Sequence, residues 1–164
     1  MRAVRLLSIV VWVGGLVFFA FVMAPTAFHV MGTTTQFALL IGSCLRVLNE
    51  IGHLCGFLFL ITTIALWFRS EPRSRKLMPF EVLLIVFMIA ATMYVQRTIL
   101  PAMERDRAAV GGDIASAPPA NPARIDFERL HPLSEKVEGA ALFMGLGIVA
   151  LMAGEPGSSR RVEL

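Results

Sequence analysis

The chain has 164 residues, of which 56% are hydrophobic and 16% are charged, and its formal net charge is +3. A soluble domain of this size cannot bury so much apolar surface, so the composition excludes an ordinary soluble protein and indicates one membrane domain. No run of bases is interleaved with aromatic residues, which argues against a nucleic-acid partner. The partner indicated by the composition is the lipid bilayer.

The first predicted element is a membrane span over about residues 5–27. Leu6–Ala24 contains no charge, and its nineteen residues are enough to cross a hydrocarbon core of about 30 Å. A secretory signal peptide has a shorter apolar region, of about 7–15 residues, so we expect this segment to be retained. Gly14 and Gly15 allow another helix to approach closely. Pro25 is expected to end or kink the helix.

Two further spans are predicted over about residues 50–69 and 79–100. Residues 36–48 are mostly apolar and continue without a breaker into the second span, so we interpret them as its interfacial or tilted lead-in. A short basic turn, Arg69–Lys76, joins the second span to the third. Pro101 is expected to stop or kink the third span.

The last span is predicted over about residues 132–154, after an extramembrane loop at 102–131. Within this loop, Gly111–Gly112 and the sequence SAPPANPA at 116–123 are typical of a flexible connection. Asp126–Leu130 is predicted to form a short amphipathic helix just before the last span.

These elements predict an all-α fold, an integral membrane four-helix bundle of antiparallel up-and-down spans. Residues 1–154 are expected to form one membrane domain, followed by a polar C-terminal tail at 155–164. The N-terminus, the Arg69–Lys76 turn and the tail carry eight Lys or Arg on one side of the membrane. The positive-inside rule therefore predicts that both termini are cytoplasmic, and we expect a bacterial inner membrane. A homo-oligomer is compatible with the sequence.

Polar residues of all four spans converge on one side of the membrane. The first and third spans end there, and the second and fourth begin there, whatever the orientation of the bundle. Ionisable residues within the hydrocarbon are costly and usually face a partner or a water-filled cavity. We therefore predict a polar vestibule on the outer side, and its candidate ligand-binding residues are Arg46, Asn49, Glu50, His53, Gln96, Arg97, His131, Glu135 and Glu138.

Three interpretations of the vestibule are open. Its hydrogen bonds and salt bridges could only fix helix packing, as is common in membrane bundles. It could bind a small polar ligand or a cation, and neither of these two interpretations needs a cofactor, so we expect none. The alternative is a membrane redox protein with a metal ion or b-type haem on His53 with His131 or His29, because bundles hold such cofactors with histidines on facing helices.

Enzyme chemistry has little support in this sequence. Ser43 and Ser134 lack the glycine-flanked turn of a nucleophile elbow. The sequence contains no CxxCH, HExxH or paired CxxC motif. Gly14–Gly15 lies inside an apolar helix and does not have the context of a phosphate-binding loop. The sequence therefore favours a non-enzymatic membrane protein.

Two stretches resemble a known family. VWVGGLVFFAFVMAPTAF at 11–28 resembles the first-span signature of the transmembrane protein 205-like family, domain of unknown function 4149, in which W-x-G-G and an aromatic run lead to Ala-Pro and a Phe. FERLHPLS at 127–134 is similar to the family's F-x-x-L-H-x-x-S segment before the last helix. The resemblance implies a small four-span membrane protein without an agreed reaction. The residues that carry it are Trp12, Gly14, Gly15, Phe18, Phe19, Ala24, Pro25, Phe28, Phe127, Leu130, His131 and Ser134.

Overall fold

A computed structural model describes residues 1–32, 35–68 and 77–154, and these residues contain six α-helices and no strand. The predicted Arg69–Lys76 turn and the tail at 155–164 lie outside the described residues. The all-α fold class is confirmed. The helices are α1 (Arg2–Phe18), α2 (Ala24–Met31), α3 (Thr35–Trp67), α4 (Met78–Tyr94), α5 (Leu100–Ala109) and α6 (Pro122–Ala153).

The six helices form four long rods, because α1 continues into α2 and α4 continues into α5. The rods are Arg2–Met31, Thr35–Trp67, Met78–Ala109 and Pro122–Ala153, and each is long and apolar enough to cross a membrane. The four-span prediction is thereby supported, and the chain has the helices of a multi-pass membrane protein.

A five-residue π-helical segment precedes each of the two prolines that were expected to end or kink a span. Phe19–Met23 lies directly before α2, which contains Pro25, and Val95–Ile99 lies directly before α5, which contains Pro101. Proline lacks the amide hydrogen of a regular helix, and its ring crowds the carbonyl four residues earlier. The wider π turns accommodate this local mismatch. Neither proline ends its helix.

The second rod is a single helix. α3 contains 33 residues, from Thr35 to Trp67. It is uninterrupted because no proline lies in the apolar sequence between its ends. The predicted lead-in at 36–48 is thus continuous with the span that follows it.

The fourth rod is also one helix, of 32 residues. Its start is fixed by Asn121, whose Oδ1 accepts a hydrogen bond from the Ala123 amide at 2.9 Å. Pro132 lies inside the helix, so the amphipathic segment at 126–130 and the last span are consecutive parts of α6. Only residues 110–121 lie between α5 and α6.

The rods pack in a ring. α1 packs against α3 and α6, and α4 packs against the same two helices. α1 and α4 therefore stand on one diagonal of the bundle, and α3 and α6 stand on the other. Trp12, Phe59 and Ile85 are fully buried in the core. A Cβ on Gly52 would lie 2.3 Å from Trp12 Nε1, so the glycine is needed for the indole ring to fit against α3.

Candidate functional site

Asn49 and Glu138 form the most buried contact among the nine predicted site residues. Asn49 Nδ2 donates a hydrogen bond to Glu138 Oε1 at 2.8 Å, and Asn49 is 0% exposed. Glu138 Oε2 is also buried, and it has no hydrogen-bond partner among the described residues. Within the same residues, no Arg, Lys or His nitrogen lies within 4.0 Å of this carboxylate. Glu138 therefore retains an unused oxygen and an uncompensated charge when ionised.

His53 makes a separate contact with α4. Its Nε2 lies 3.1 Å from Thr92 Oγ1, and its ring packs edge-on against Trp12, with centroids 6.5 Å apart. The Thr92 hydroxyl donates its hydrogen to the Met88 carbonyl at 2.9 Å. Because the hydroxyl has only one hydrogen, it accepts from His53 whenever that hydrogen is donated to a carbonyl, and the tautomer with a proton on Nε2 is then the donor. His53 is thereby engaged in packing between α3 and α4.

The two arginines among the predicted site residues form no salt bridge with the predicted carboxylates in the described part of the chain. Arg46 Nη2 instead lies 2.5 Å from Glu104 Oε1. Both partners of this bridge are exposed, and so are Glu50 and Arg97. The continuation of the helix beyond Pro101 places Glu104 opposite Arg46, within residues 102–131 that are predicted from the sequence to form a loop.

His131 and Glu135 lie one turn apart on the exposed side of α6. His131 Nε2 lies 3.4 Å from Glu135 Oε1, and its ring stacks on Phe127 with centroids 5.9 Å apart. Gln96 is half-buried, and its Oε1 has no hydrogen-bond partner in the described part of the chain.

The histidines considered as metal or haem ligands lie on three different helices. His29 is exposed in the last turn of α2, whereas His53 and His131 make the contacts given above. In residues 1–32, 35–68 and 77–154, no group of three or more His, Cys, Asp or Glu is arranged to hold a metal ion. A haem or metal site on His53 with His131 or His29 stays a prediction.

A cavity of about 630 Å³ opens between α1–α2, α3, α5 and α6. Three of the predicted site residues line it, namely His131, Glu135 and Glu138, whereas the other six do not. Asn49 reaches the cavity indirectly through its hydrogen bond to Glu138. All polar residues of the lining come from α5 and α6, and they are Glu104, Arg107, His131, Ser134, Glu135 and Glu138.

The motif residues that carry the family resemblance lie in this cavity, in the core and on the exposed surface. Trp12 is fully buried in the core, and a Cβ on Gly15 would lie 2.6 Å from the Leu48 side chain. Pro25 is exposed and Leu130 is half-buried. The motif residues that line the cavity are Phe19, Ala24, Phe28, Phe127, His131 and Ser134.

A buried ion pair lies in the half of the bundle opposite the predicted vestibule, where the convergence of polar residues on the other side leads us to expect almost no polar side chain at membrane depth. Arg5 Nη2 is 2.5 Å from Glu81 Oε2, and the two side chains are 3% and 0% exposed. The Arg5 guanidinium also lies over the Phe59 ring, 5.3 Å from its centroid. The expectation was wrong because it overlooked a signal in the sequence. Arg5 and Glu81 each lie in the first turn of a rod, and both rods begin on the same side.

Residues 7–109 match the family described as Domain of unknown function (DUF4149). The match covers more than half of the chain and ends with α5, so the chain belongs to this family. No curated protein and no solved structure matches the chain. Family membership agrees with a small helical membrane protein, and the function has to be argued from the cavity.

Proposed function

We propose that this member of the DUF4149 family is a non-enzymatic membrane protein that binds a small amphipathic molecule, of lipid-like chemistry, in the cavity beside Glu138. The observation that supports the proposal is the division of the cavity wall. Every lining residue from α1–α2 and α3 is apolar, and every polar one is on α5 or α6. The volume of about 630 Å³ lies within the range of about 300–1,000 Å³ found for small-molecule sites.

The character of the wall changes the expected ligand. From the sequence we predicted a polar vestibule for a small polar ligand or a cation. The lining is instead mostly apolar, and aromatic rings contribute to it, with Phe28 and Phe37 in edge-on contact at 5.8 Å between centroids. An apolar ligand body would bury its surface against these side chains, while a polar head group would find its partners on α6.

Glycines in the wall allow the cavity to be filled without disturbing the core. A Cβ on Gly42 would meet no atom within 4 Å, and the same holds for Gly14, which is exposed on α1 and does not line the cavity. Gly42→Leu therefore places a side chain in the cavity, and Gly14→Leu is the matched control.

The test uses photolabelling in phosphatidylcholine nanodiscs. The probe is a twelve-carbon alcohol with a diazirine in its chain, and labelled positions are read by peptide mass spectrometry. We expect saturable labelling of the cavity wall in the unmodified protein and in Gly14→Leu, and its loss in Gly42→Leu. Equal labelling of all three proteins would contradict the proposal.

A purely structural role for the polar contacts is the second candidate. It is favoured by the complete burial of Asn49, whose amide holds α3 to α6. In this role, the contact with Glu138 would fix helix packing, and the cavity would hold only bilayer lipid. The stability measurements described in the Discussion separate this role from ligand binding.

The haem or metal alternative is the third proposal. It would require His53 to leave Thr92 and to approach His29 or His131. An absorption spectrum and a metal analysis of the purified protein test it directly. A Soret band that is lost in His53→Ala would favour this alternative over ligand binding.

The closer relationship to transmembrane protein 205-like proteins is also a proposal. It is supported by the motif at 11–28, which lies within the matched residues, and by the motif at 127–134, which lies beyond them. We propose in addition that the protein lies in a bacterial inner membrane with both termini cytoplasmic, and the charge distribution of the sequence supports this orientation.

A further inference from the structure

Resting on the proposed function, we propose that the cavity selects a cationic amphiphile, a long-chain primary amine, whose ammonium group binds the Glu138 carboxylate. The inference starts from the charges that line the cavity. Its wall contains three carboxylates, Glu104, Glu135 and Glu138, but only one arginine, Arg107.

Two of the three carboxylates already have basic partners. Glu104 is bridged by Arg46 at 2.5 Å, and Glu135 lies 3.4 Å from His131 Nε2. Arg107 lies over the Phe127 ring, 5.3 Å from its centroid. Glu138 is the carboxylate of the wall that has no basic side chain within 4.0 Å among the described residues, and its only hydrogen bond there is to a neutral amide.

The geometry around Glu138 suits an ammonium group. Oε1 is fixed by Asn49, and Oε2 is buried without a partner among the described residues. The adjacent Gly139 also lines the cavity, and a Cβ there would meet no atom within 4 Å, so the wall is open at the next residue of α6. An ammonium group brings a positive charge and three donors, whereas an alcohol brings one neutral donor.

A metal ion fits this position less well. Hard cations take six or more oxygen ligands, several of them usually carboxylates. Glu104 and Glu135 are held by Arg46 and His131, and no metal-binding group of three or more acidic, His or Cys residues is present in the described chain. A single carboxylate in an apolar cavity instead matches a monovalent organic cation with an apolar chain.

The experiment compares head groups on one chain. Three diazirine probes of twelve carbons, ending in a primary amine, an alcohol or a carboxylic acid, are titrated against the protein in phosphatidylcholine nanodiscs. We expect half-saturation by the amine at a concentration about tenfold or more below that of the alcohol, since charged hydrogen bonds are the stronger ones. The acid should bind most weakly.

Two variants locate the head group. Glu138→Gln should abolish the preference for the amine, so that the amine and the alcohol half-saturate at similar concentrations. Glu128→Gln removes the same charge from an exposed position of the same helix that does not line the cavity, and it should keep the preference. Persistence of the preference in Glu138→Gln, or its loss in Glu128→Gln, would overturn the assignment to Glu138.

The outcomes also separate the inference from the proposed function. If no probe labels the cavity, or if the Gly42→Leu variant is labelled as strongly as the unmodified protein, the proposed function fails. If all three probes reach half-saturation at the same concentration and Gly42→Leu abolishes labelling, the proposed function stands and the preference for amines is overturned. The head-group comparison uses the unmodified protein, so a folding defect in Glu138→Gln leaves the test intact.

Discussion

Asn49 Nδ2 lies 2.8 Å from Glu138 Oε1, so a buried amide on α3 holds a carboxylate on α6 across one diagonal of the bundle. The Arg5–Glu81 ion pair connects α1 to α4 across the other diagonal. Phe59, whose ring lies against the Arg5 guanidinium, is ten positions after Asn49 on α3. At 1.5 Å per helical residue, the two diagonal contacts lie at levels about 15 Å apart.

Replacement of Asn49 tests the first contact. Asn49→Ala removes the donor to Glu138 and should lower the free energy of unfolding by about 1 kcal/mol, since interhelical hydrogen bonds in membranes contribute about 0.6–1.7 kcal/mol. Glu138→Gln should cost less, because its amide oxygen still accepts from Asn49. Unfolding by sodium dodecyl sulfate in mixed micelles, followed by circular dichroism, measures both.

The exposed Glu128 provides the control for this series. Its bridge to Arg124 lies on the surface of α6, so Glu128→Gln should leave the free energy of unfolding nearly unchanged. A larger loss in Glu138→Gln than in Asn49→Ala would favour the structural role over ligand binding.

The Arg5–Glu81 pair should show strong coupling in a double-mutant cycle. Arg5→Met leaves Glu81 buried without the charge of Arg5, and removal of one partner from a buried pair costs about 3–5 kcal/mol in soluble proteins. The double variant Arg5→Met/Glu81→Met should recover most of the loss. Thermal denaturation in detergent measures each variant.

The Arg46–Glu104 bridge is the matched surface pair, because its side chains are 46% and 49% exposed. The corresponding cycle with Arg46→Gln and Glu104→Gln should give a coupling of about 0–1 kcal/mol. Equal coupling energies in the two cycles would show that burial does not set the strength of the Arg5–Glu81 pair.

Gly52→Ala should destabilise the protein by about 1–3 kcal/mol, the usual cost of overpacking a core. The added methyl group would be forced against Trp12, which is 0% exposed. Gly14→Ala is the control, since a Cβ there meets no atom within 4 Å. It should be neutral or stabilising by about 0.5–1 kcal/mol, the helix propensity difference. Melting temperatures in detergent distinguish the two.

The orientation is tested by single cysteines in a variant with Cys44 and Cys55 replaced by alanine. Ser116 is exposed between α5 and α6, on the predicted outer side of the membrane. Arg2 is exposed at the start of the first rod, on the predicted cytoplasmic side. A membrane-impermeant maleimide should label Ser116→Cys in intact cells and label Arg2→Cys only after permeabilisation. The reverse pattern would show that the termini face outward.

The number of spans could be predicted because each long run of residues without a charge indicates one membrane-spanning helix. The continuity of the first and third rods could not, since from the sequence Pro25 and Pro101 are expected to end or kink a helix. The sequence pattern does not show where a π turn accommodates a proline. Val95–Ile99 packs against α6, whereas Phe19–Met23 contains no buried residue. The first and third rods were therefore expected to be shorter than they are.

The candidate site was predictable only in part, for the same reason. The convergence of span ends placed Glu135, Glu138 and His131 on one side of the bundle, and all three line the cavity. Contacts such as Asn49 with Glu138 depend on the rotation of each helix about its axis, which the spacing of polar residues does not determine when a helix is apolar on most faces. Glu104 and Arg107 were assigned to a loop because α5 was not expected.

The two diagonal contacts, Asn49–Glu138 and Arg5–Glu81, together oppose the separation of the bundle into two halves. The ring can be divided into two pairs of adjacent rods in only two ways, α1 and α3 against α4 and α6, or α1 and α6 against α3 and α4. Either division separates α1 from α4 and α3 from α6, so it breaks both polar contacts at once. Rocking of one half of the molecule against the other is therefore opposed at two heights.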